Sequence, residues 1–529
     1  MDRRAFLVAS GRIGLAATAG AVGLAVSRAL SPVATARPRA VVAAGGQPSS
    51  GRGLVTAGSG DTGGTVHRAN LVRQENVMHG TDGWLIGGLP ATIQGYLDRA
   101  SAAPGDLISL RVDAATPFDV EWYRLGWYGG RGGCMTRVDP VLPAMPGPGP
   151  DVDLSTGRAE APWQPSLAIQ VPADWSTGMY AVVLRPRVGN PGYVPLIVRR
   201  PPGDPAPVLF VSAALTWQAY NTWGGANLYD ATMADSPEIS RGRRAVQVSF
   251  DRPYDLHQGS GYQQRWELQF VRWQEREGID VDYAADLDLE LDPGILAGRR
   301  LIVFAGHHEY WSRPMRTALE TAIASGVNVL FLSANEVYWQ VRLESSPLGP
   351  ARRVTCYKSA RLDPIASTQP ELTTCRWRER PVNDPEATLV GQMYGHIVRR
   401  PGDWVAAQTD HWLYEGTGMR EGDHIVNLVG QEYDSYFREV GHQGTVVLAR
   451  SPIDAVIRSD RSIGRYVSPP IHTATMYTAN SGATVFAAGT FQWSWALDQF
   501  GDRSYRGAAT PYDERVVRMT RNLFDRLGA

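Results

Sequence analysis

Lysine and cysteine are the two residue types that this sequence has least of. Lys358 is the single lysine among 52 basic residues in a chain of 529, which we interpret as codon bias toward arginine and not as a functional signal. The three cysteines are Cys134, Cys356 and Cys375, and no C-x-x-C pair occurs, so a disulfide scaffold and a thiolate metal site are excluded. Cys356 and Cys375 bracket a short segment, and the sequence leaves open whether they form one bridge.

The sequence also lacks several signatures of catalysis and binding. It contains neither H-E-x-x-H nor G-x-S-x-G, so a helical zinc protease and a serine hydrolase are not supported. No cysteine follows a strand with a glycine-rich turn, which leaves out thiol amidotransferase chemistry. The formal net charge is -1 without a basic block, so we expect neither nucleic acid nor an acidic membrane as a partner.

The N-terminus has the pattern of a twin-arginine export signal. Arg3 and Arg4 precede a weakly apolar run over 13–26, and a candidate cleavage site lies at 34–36. The alternative is a membrane anchor, but the run is shorter than the ~18 apolar residues needed to span a bilayer. We therefore predict a signal peptide over 1–36 and a periplasmic, envelope or secreted protein with no stable membrane span after processing. Twin-arginine substrates are exported folded, often with a metal already bound, which is a first indication of a metal.

Composition and periodicity divide the remainder into three parts. Residues 37–64 are rich in Ala, Gly, Ser and Pro, which predicts a disordered linker. Short alternating runs separated by Pro and Gly turns fill 65–200 and predict an immunoglobulin-like β-sandwich without an evident catalytic cluster. After the proline-rich stretch 201–207, strands alternate with helices, so we predict a three-layer α/β domain over 207–529.

The stretch 299–339 predicts a β-α-β unit at the centre of that domain. Leu301–Ala305 is an apolar run typical of a strand buried on both faces. Ser312, with a proline two positions later, marks the start of a helix, and Gly326 marks its end. Val327–Leu332 is the second apolar strand.

Polar residues follow both strands of this unit. His307 and Glu309 come after the first strand, two positions apart on an extended segment, so their side chains project to one side. Asn335 and Glu336 come after the second strand. In an open parallel sheet, ligands bind beyond the carboxyl ends of the strands. We therefore predict the functional site here, although a lone histidine is more often structural.

Tyrosines are the unusual feature of the α/β part. Tyr220 lies just beyond its first predicted strand, Tyr229 a little later, and Tyr254 after an F-D-R-P stretch. Each of them alone is more often a packing residue. Two phenolates and a carboxylate together form a hard, anionic oxygen set whose formal charge balances a ferric ion. Such a Lewis acid polarises an amide carbonyl and lowers the pKa of bound water.

Six segments of the α/β part carry a resemblance to a known family: TWQAYNTWGG at 216–225, FDRPY at 250–254, AGHHEYWS at 305–312, HWLYEGTG at 411–418, VGQEYD at 429–434 and GTFQWSW at 489–495. They resemble the C-terminal domain of the large subunit of N,N-dimethylformamidase. The resemblance implies the fold of a class I glutamine amidotransferase without its cysteine. It also implies one iron held by two tyrosines and a glutamate, with a histidine and a second glutamate assisting attack of water on the amide.

The resemblance assigns the metal ligands to individual residues. Glu309 corresponds to the iron-binding glutamate and Tyr220 to the first tyrosine. Tyr254 is our choice for the second tyrosine, with Tyr229 as the alternative, because the gaps between motifs cannot be fixed from one sequence.

The same resemblance predicts the groups that move protons and the reaction. His307 corresponds to the histidine and Glu432 to the second glutamate. We therefore expect an exported, iron-dependent amidohydrolase acting on a small amide or another non-peptide C–N bond. The export signal and the sandwich depart from the family, and these departures bear on the substrate more than on the metal site. The alternative is a non-catalytic, envelope-associated binding protein that retains the fold, and homo-oligomerisation and the need for a second subunit stay open.

Overall fold

The computed structural model describes residues 70–201, 203–230, 244–456 and 470–528. The predicted signal peptide at 1–36 and the predicted linker at 37–64 lie outside the described residues. All the described residues belong to one unit by their contacts.

Two larger sheets and one two-stranded sheet form the N-terminal part, in the segment for which a β-sandwich is predicted. Strands β1 to β10 are Gln94–Leu97, Ser101–Ala102, Leu107–Asp113, Phe118–Leu125, Gly133–Leu142, Asp151–Asp153, Arg158–Glu160, Pro165–Gln170, Gly178–Pro186 and Gly192–Val198. A three-stranded sheet has the order β1-β3-β8, and a five-stranded sheet has the order β2-β10-β9-β4-β5. Alternate residues of β3 are buried, and they share one apolar core with β4, β9 and β10.

The centre of the five-stranded sheet is buried on both faces. The first seven residues of β9 are all buried, because alternate side chains enter two different cores. Tyr180, Val182 and Leu184 belong to the core between the two sheets. Their neighbours Met179, Ala181 and Val183 belong to the core of the α/β part. The N-terminal sheets and the α/β part therefore share a broad apolar contact.

The α/β part contains the remaining strands and nearly all of the helices. Strands β11 to β18 are Val208–Ser212, Gln247–Ser249, Val281–Ala285, Leu301–Gly306, Tyr310–Ser312, Asn328–Ser333, Trp339–Ser346 and Gly349–Thr355. Strands β19 to β27 are Met393–Ile397, Gly402–Val405, His424–Val429, Glu432–Ser435, Val446–Pro452, Ile471–Thr478, Thr484–Ala487, Ser504–Tyr505 and Ala508–Ala509. Helices α1 to α7 are Leu71–Glu75, Ala214–Tyr220, Leu268–Arg276, Asp288–Leu291, Arg313–Ala324, Ala387–Val390 and Glu514–Leu527.

A seven-stranded sheet forms the centre of the α/β part. Its order is β13-β11-β14-β16-β25-β24-β23. The first five strands pair in parallel, and β24 pairs antiparallel with both of its neighbours, β25 and β23. Every residue of β11 and β14 is buried, as expected for parallel strands covered on both faces. The chain leaves β11 for β13 on one side and returns to β14 on the other. The strand order therefore reverses between β11 and β14, which is where open α/β sheets bind ligands.

The predicted β-α-β unit is confirmed. It consists of β14, α5 and β16, and the two strands pair in parallel. Ser312 caps α5 as predicted, since its side chain accepts a hydrogen bond from the Met315 N–H at 3.3 Å. The structure adds the short strand β15 between β14 and α5, which pairs in parallel with β17.

Two further sequence questions concern the membrane and the thiols. Within the described ranges, no helix is long and apolar enough to cross a membrane. Cys134, Cys356 and Cys375 are buried thiols, so Cys356 and Cys375 are not bridged.

Candidate active site

Helix α2 carries Tyr220 into the crevice between β11 and β14. The helix follows β11 closely, and Tyr220 is its last residue. The loop beyond it is held by the buried Arg252 guanidinium, which donates to the carbonyl oxygens of Asn221 at 3.0 Å and Trp223 at 2.8 Å. Burial lowers the pKa of Arg252 to about 10. This cation supplies partners to carbonyl groups near the helix end and so fixes the position of Tyr220.

Tyr229 reaches the same place because the chain doubles back on α2. The Leu228 N–H donates to the Ala219 oxygen at 3.0 Å, and the Asn227 side chain donates to the Tyr220 oxygen at 2.9 Å. Asn227 also accepts from the Tyr229 N–H at 2.7 Å. The rings of Tyr220 and Tyr229 stack with centroids 4.7 Å apart and planes 11° apart. The Tyr229 ring therefore lies directly against the Tyr220 ring.

Glu309 lies where the two phenols converge. Its Oε2 accepts a hydrogen bond from the Tyr220 hydroxyl, and its Oε1 accepts one from the Tyr229 hydroxyl and one from Trp339 Nε1 at 3.0 Å. The Glu309 N–H donates to Thr216 Oγ1 of α2 at 3.0 Å, which ties the loop after β14 to the helix that carries Tyr220. Glu309 is 0 % exposed, so these hydrogen bonds replace all of its contact with water.

A glycine makes the turn that brings Glu309 into position. Gly306 ends β14 with φ +92°, which side chains rarely adopt. A Cβ there would lie 3.1 Å from Glu267 Cγ and 3.2 Å from Trp266 Cβ. The loop can therefore pass close to these two residues only because position 306 has no side chain.

The structure does not bring Tyr254 to Glu309. The Tyr254 ring packs edge-on against Trp217 at 6.3 Å between centroids. Desolvation raises the pKa of Tyr254 above its ordinary value. Tyr229, the alternative in the sequence analysis, lies where the second tyrosine was expected. The choice of Tyr254 is corrected, because the chain doubles back after α2 and brings Tyr229 to Glu309.

His307 and Glu432 lie beside this group. His307 Nε2 is 3.4 Å from Glu309 Oε2 and 3.7 Å from Glu432 Oε2. Asn335 Nδ2 donates to Glu432 Oε2 at 2.6 Å, and the Tyr394 hydroxyl donates to Glu432 Oε1 at 3.3 Å. The structure thus brings together all of the predicted residues except Tyr254. Asn335 was noted in the sequence as a polar strand end but received no role, and Tyr394 gave no signal.

Comparison with known proteins places the chain in a family. A profile described as N,N-dimethylformamidase beta subunit-like, C-terminal, matches residues 119–507, which is most of the chain. The chain belongs to this family. The match begins inside β4, so the family likeness extends further toward the N-terminus than the segment 207–529 to which the sequence analysis assigned it.

Two relatives carry the family name. The N,N-dimethylformamidase beta subunit of Alcaligenes sp is 23% identical over 425 residues, which are 69% of this chain and 54% of that protein. The subunit of the same name from Paracoccus aminophilus is 24% identical over 425 residues, 68% of this chain and 54% of that protein. The chain thus spans about half the length of the relatives that it matches.

One match from a search of solved structures has low structural similarity. A Paenibacillus sp. cycloisomaltooligosaccharide glucanotransferase, solved with cycloisomaltoheptaose, is 9% identical with a TM-score of 0.15 and covers 46% of this chain and 44% of its own. That score does not indicate a shared fold.

In this member of the N,N-dimethylformamidase beta subunit-like family, the converging donors are oxygens. No cluster of three or more His, Cys, Asp and Glu side chains suited to a metal occurs in the part of the chain that the structure describes. Tyr220, Tyr229 and Glu309 form a different set, two phenols that each donate a hydrogen bond to one carboxylate. Deprotonated phenols and a carboxylate are hard anionic ligands that match ferric iron in charge and type. The residues therefore fit the implied iron.

Lys358 lies against this oxygen group, which corrects its interpretation as codon bias alone. Its Nζ is 3.1 Å from the centroid of the Tyr229 ring and 4.7 Å from that of Trp339. It donates to the Tyr310 hydroxyl at 2.6 Å. Burial next to Glu309 raises the pKa of Tyr310 well above its ordinary value, so Tyr310 stays a neutral phenol. The rarity of lysine was the sequence signal that could have drawn attention to Lys358.

The two adjacent histidines have different surroundings. Burial lowers the pKa of His308 to about 3, so this imidazole is neutral, and its Nε2 is 3.2 Å from the Ala305 oxygen. Its ring packs edge-on against Phe304. His308 is thus a core residue, whereas His307 faces Glu309 and Glu432 and packs on Phe491 with ring centroids 4.1 Å apart.

Proposed function

We propose that this protein is an exported, iron-dependent hydrolase of small linear amides. The single observation that carries the proposal is that Glu309 accepts hydrogen bonds from Tyr220 and Tyr229, with His307 and Glu432 beside it. The relatives named N,N-dimethylformamidase beta subunit support the reaction class. Tyr220, Tyr229 and Glu309 would hold the iron.

The chain's own residues supply the proton transfers and the enclosure. When bound, the iron supplies a Lewis acid that polarises the amide carbonyl and acidifies water. Glu432 accepts a proton from the attacking water, because Asn335 holds its carboxylate in place at 2.6 Å. His307 Nε2 holds a proton between the carboxylates of Glu309 and Glu432 and donates it to the leaving amine. The four side chains Tyr220, His307, Glu309 and Glu432 are at most 4 % exposed, which suits a small substrate.

The metal assignment is tested by paired tyrosine variants of the full chain. We expect purified protein to contain iron and to be coloured, because a phenolate bound to ferric iron absorbs visible light. Tyr229→Phe should lose most of the visible band and of the iron, and Glu309→Gln should do the same. Tyr254→Phe is the matched control and should keep both. Loss of colour in Tyr254→Phe with retention in Tyr229→Phe would reverse the assignment of the second tyrosine.

The reaction is tested by amine release from a panel of formamides and acetamides. The iron-loaded protein should release amine from small amides, and His307→Ala and Glu432→Gln should lower kcat by about 100-fold or more while keeping the iron. An iron-loaded protein without turnover of any amide, alone or with a second subunit, would instead favour the binding protein.

Export belongs to the proposal as well, and replacing Arg3 and Arg4 by Lys should leave the protein inside the cell on fractionation.

A further inference from the structure

Strand β22 holds Asn335 through two hydrogen bonds beside the candidate active site. Glu432 and Asp434 lie two positions apart on β22, so their side chains project to the same side. Glu432 Oε2 accepts from the side-chain amide of Asn335 at 2.6 Å, and Asp434 Oδ1 accepts from the backbone N–H of Asn335 at 2.8 Å. Asn335 follows β16, so this pair of hydrogen bonds connects β22 to the central sheet.

The turn that contains Asn335 has an uncommon backbone conformation. Asn335 has φ +55° and Val337 has φ +51°. A β-branched residue at positive φ is a rare outlier that persists only where its surroundings hold it. The Val337 N–H donates to the His308 oxygen and the Tyr338 N–H to the Glu309 oxygen, both at 2.9 Å. The turn is therefore held by the loop that carries Glu309 on one side and by Asp434 on the other.

We propose that Asp434 is a positioning residue of the site: its carboxyl fixes the Asn335–Val337 turn and thereby holds the Asn335 amide on Glu432. The expected effect of Asp434 on catalysis rests on the proposed function, whereas its effect on the position of Asn335 does not. Asn335 Nδ2 is also 3.5 Å from His307 Nε2, so a shift of the turn alters the surroundings of both groups that move protons. Asn335 Oδ1 is buried without a hydrogen-bond partner among the described residues, so that oxygen does not anchor the amide.

The surroundings of Asp434 suit a neutral acid in this role. Asp434 is 1 % exposed, and burial raises its pKa to about 8, with the charge of Glu432 adding to the shift. The other charged groups that act on this region are Glu336 of the turn and the ion-paired Arg378 and Glu386. A protonated Asp434 accepts the Asn335 N–H without placing a second negative charge beside Glu432.

The catalytic arm compares Asp434→Ala with Asp434→Asn in the full-length, iron-loaded protein. Asp434→Ala should lower kcat by about 10- to 100-fold, the usual cost of losing a group that orients another one, with little change in KM. Asp434→Asn keeps an acceptor oxygen and should recover most of that loss. Asp288→Ala is the matched control, because this buried carboxyl also accepts a backbone N–H, that of Ala285 at 2.8 Å, but in α4. Equal kcat in Asp434→Ala and Asp288→Ala would overturn the proposal, as would equal losses in the two Asp434 variants.

The structural arm separates this proposal from the proposed function. In a crystal structure of Asp434→Ala, we expect Asn335 Nδ2 and Glu432 Oε2 to lie more than about 3.5 Å apart, beyond hydrogen-bond distance. The Asp434→Asn structure should keep the contact. If the contact persists in Asp434→Ala, the inference fails whatever the activity. If the wild-type protein hydrolyses no amide but the contact is lost, the proposed function fails and the positioning role stands.

Discussion

At the scale of single residues, Lys358 shows how a cation can lie against an oxygen cluster. Its ammonium group lies over the Tyr229 ring at 3.1 Å and is held by the Tyr310 hydroxyl. A cation in this position is attracted to the ring and stabilises negative charge on the phenol oxygen. The chain uses arginine at every other basic position that is not histidine, so the compact ammonium of lysine is used only here.

We therefore expect Lys358→Met to weaken iron binding by about 10-fold or more, since loss of a charge next to ligands typically costs 10- to 100-fold in metal affinity. Iron retention against a chelator and the position of the visible band would measure this. Arg376→Gln is the matched control, because Arg376 also lies near the Trp339 ring, at 5.8 Å, but is paired with Glu379 at 2.6 Å. Equal iron loss in both variants would show that Lys358 has no special role.

At the scale of elements, sequence patterns predicted the part of the site that the central sheet carries. The apolar runs of β14 and β16 and the N-cap Ser312 fixed a β-α-β unit, and that unit places His307 and Glu309 beyond a strand end. Tyr229 could not be chosen in the same way, because the path after α2 depends on distant partners such as Arg252. The likeness of the sheet to class I glutamine amidotransferases stays a prediction, which a comparison of strand order with that family would test.

Lys358 and Tyr394 were missed for a related reason. Both lie in 353–404, a segment whose hydrophobic periodicity is weak. Their side chains reach Tyr310 and Glu432 through contacts between segments far apart in the chain. Local periodicity records which side of an element is buried, and it carries no information on such distant pairings.

The loop that carries Tyr229 gives a prediction at this scale. Arg252 is 0 % exposed, and its guanidinium donates to Asn221, Trp223 and Ala226 carbonyl oxygens. Arg252→Lys keeps the charge but cannot reach all of these acceptors, so buried carbonyl groups lose their partners. We expect the free energy of unfolding to fall by about 2–4 kcal/mol and the iron to be held less tightly.

Urea denaturation and iron retention would measure these effects. Arg131→Lys is the control, because the Arg131 side chain is 62% exposed and pairs with Asp82 at the surface. We expect that variant to change the free energy of unfolding by less than about 0.5 kcal/mol. Unchanged stability in Arg252→Lys would show that the loop is held by other contacts.

At the scale of the whole molecule, the sandwich strands and the α/β part share buried groups. The side chains of β9 enter both cores, and the Arg124 guanidinium of β4 meets Glu275 of α3 at 2.7 Å with both residues buried. Such a pair leaves an unpaired buried charge if the two parts separate, which is costly. We infer that the described residues unfold together, although sequence composition had suggested a boundary at 201–207.

Buried carboxyl groups make the stability of this unit depend on pH. Burial raises the pKa of Glu267 to about 8, and this carboxyl accepts the Ala213 N–H at 2.9 Å and the Ser212 hydroxyl. Because the pKa of Glu267 is higher in the folded state, this carboxyl stays protonated in the folded protein above about pH 4.3. In the unfolded chain it loses its proton at its ordinary pKa of about 4.3. The stability that Glu267 contributes is therefore fully present below that value and is lost as the pH rises through about 8. His472, whose pKa burial lowers to about 4, acts in the opposite direction but only below its ordinary value of about 6.5.

Comparison with Glu267→Gln in a pH window above the histidine range isolates the effect of Glu267. From about pH 6.5 to pH 8.5, the free energy of unfolding of the metal-free protein should fall, with about 2 kcal/mol of the fall due to Glu267. Glu267→Gln cannot ionise and should flatten the dependence by that amount, while the contribution of Asp434, whose pKa is also raised to about 8, remains. Urea denaturation of both proteins at several pH values would measure the difference. Parallel pH profiles of the wild-type protein and Glu267→Gln would show that Glu267 is already ionised in the folded protein at about pH 6.5. A carboxyl links stability to pH in this range only if it is protonated in the folded protein and ionised in the unfolded chain.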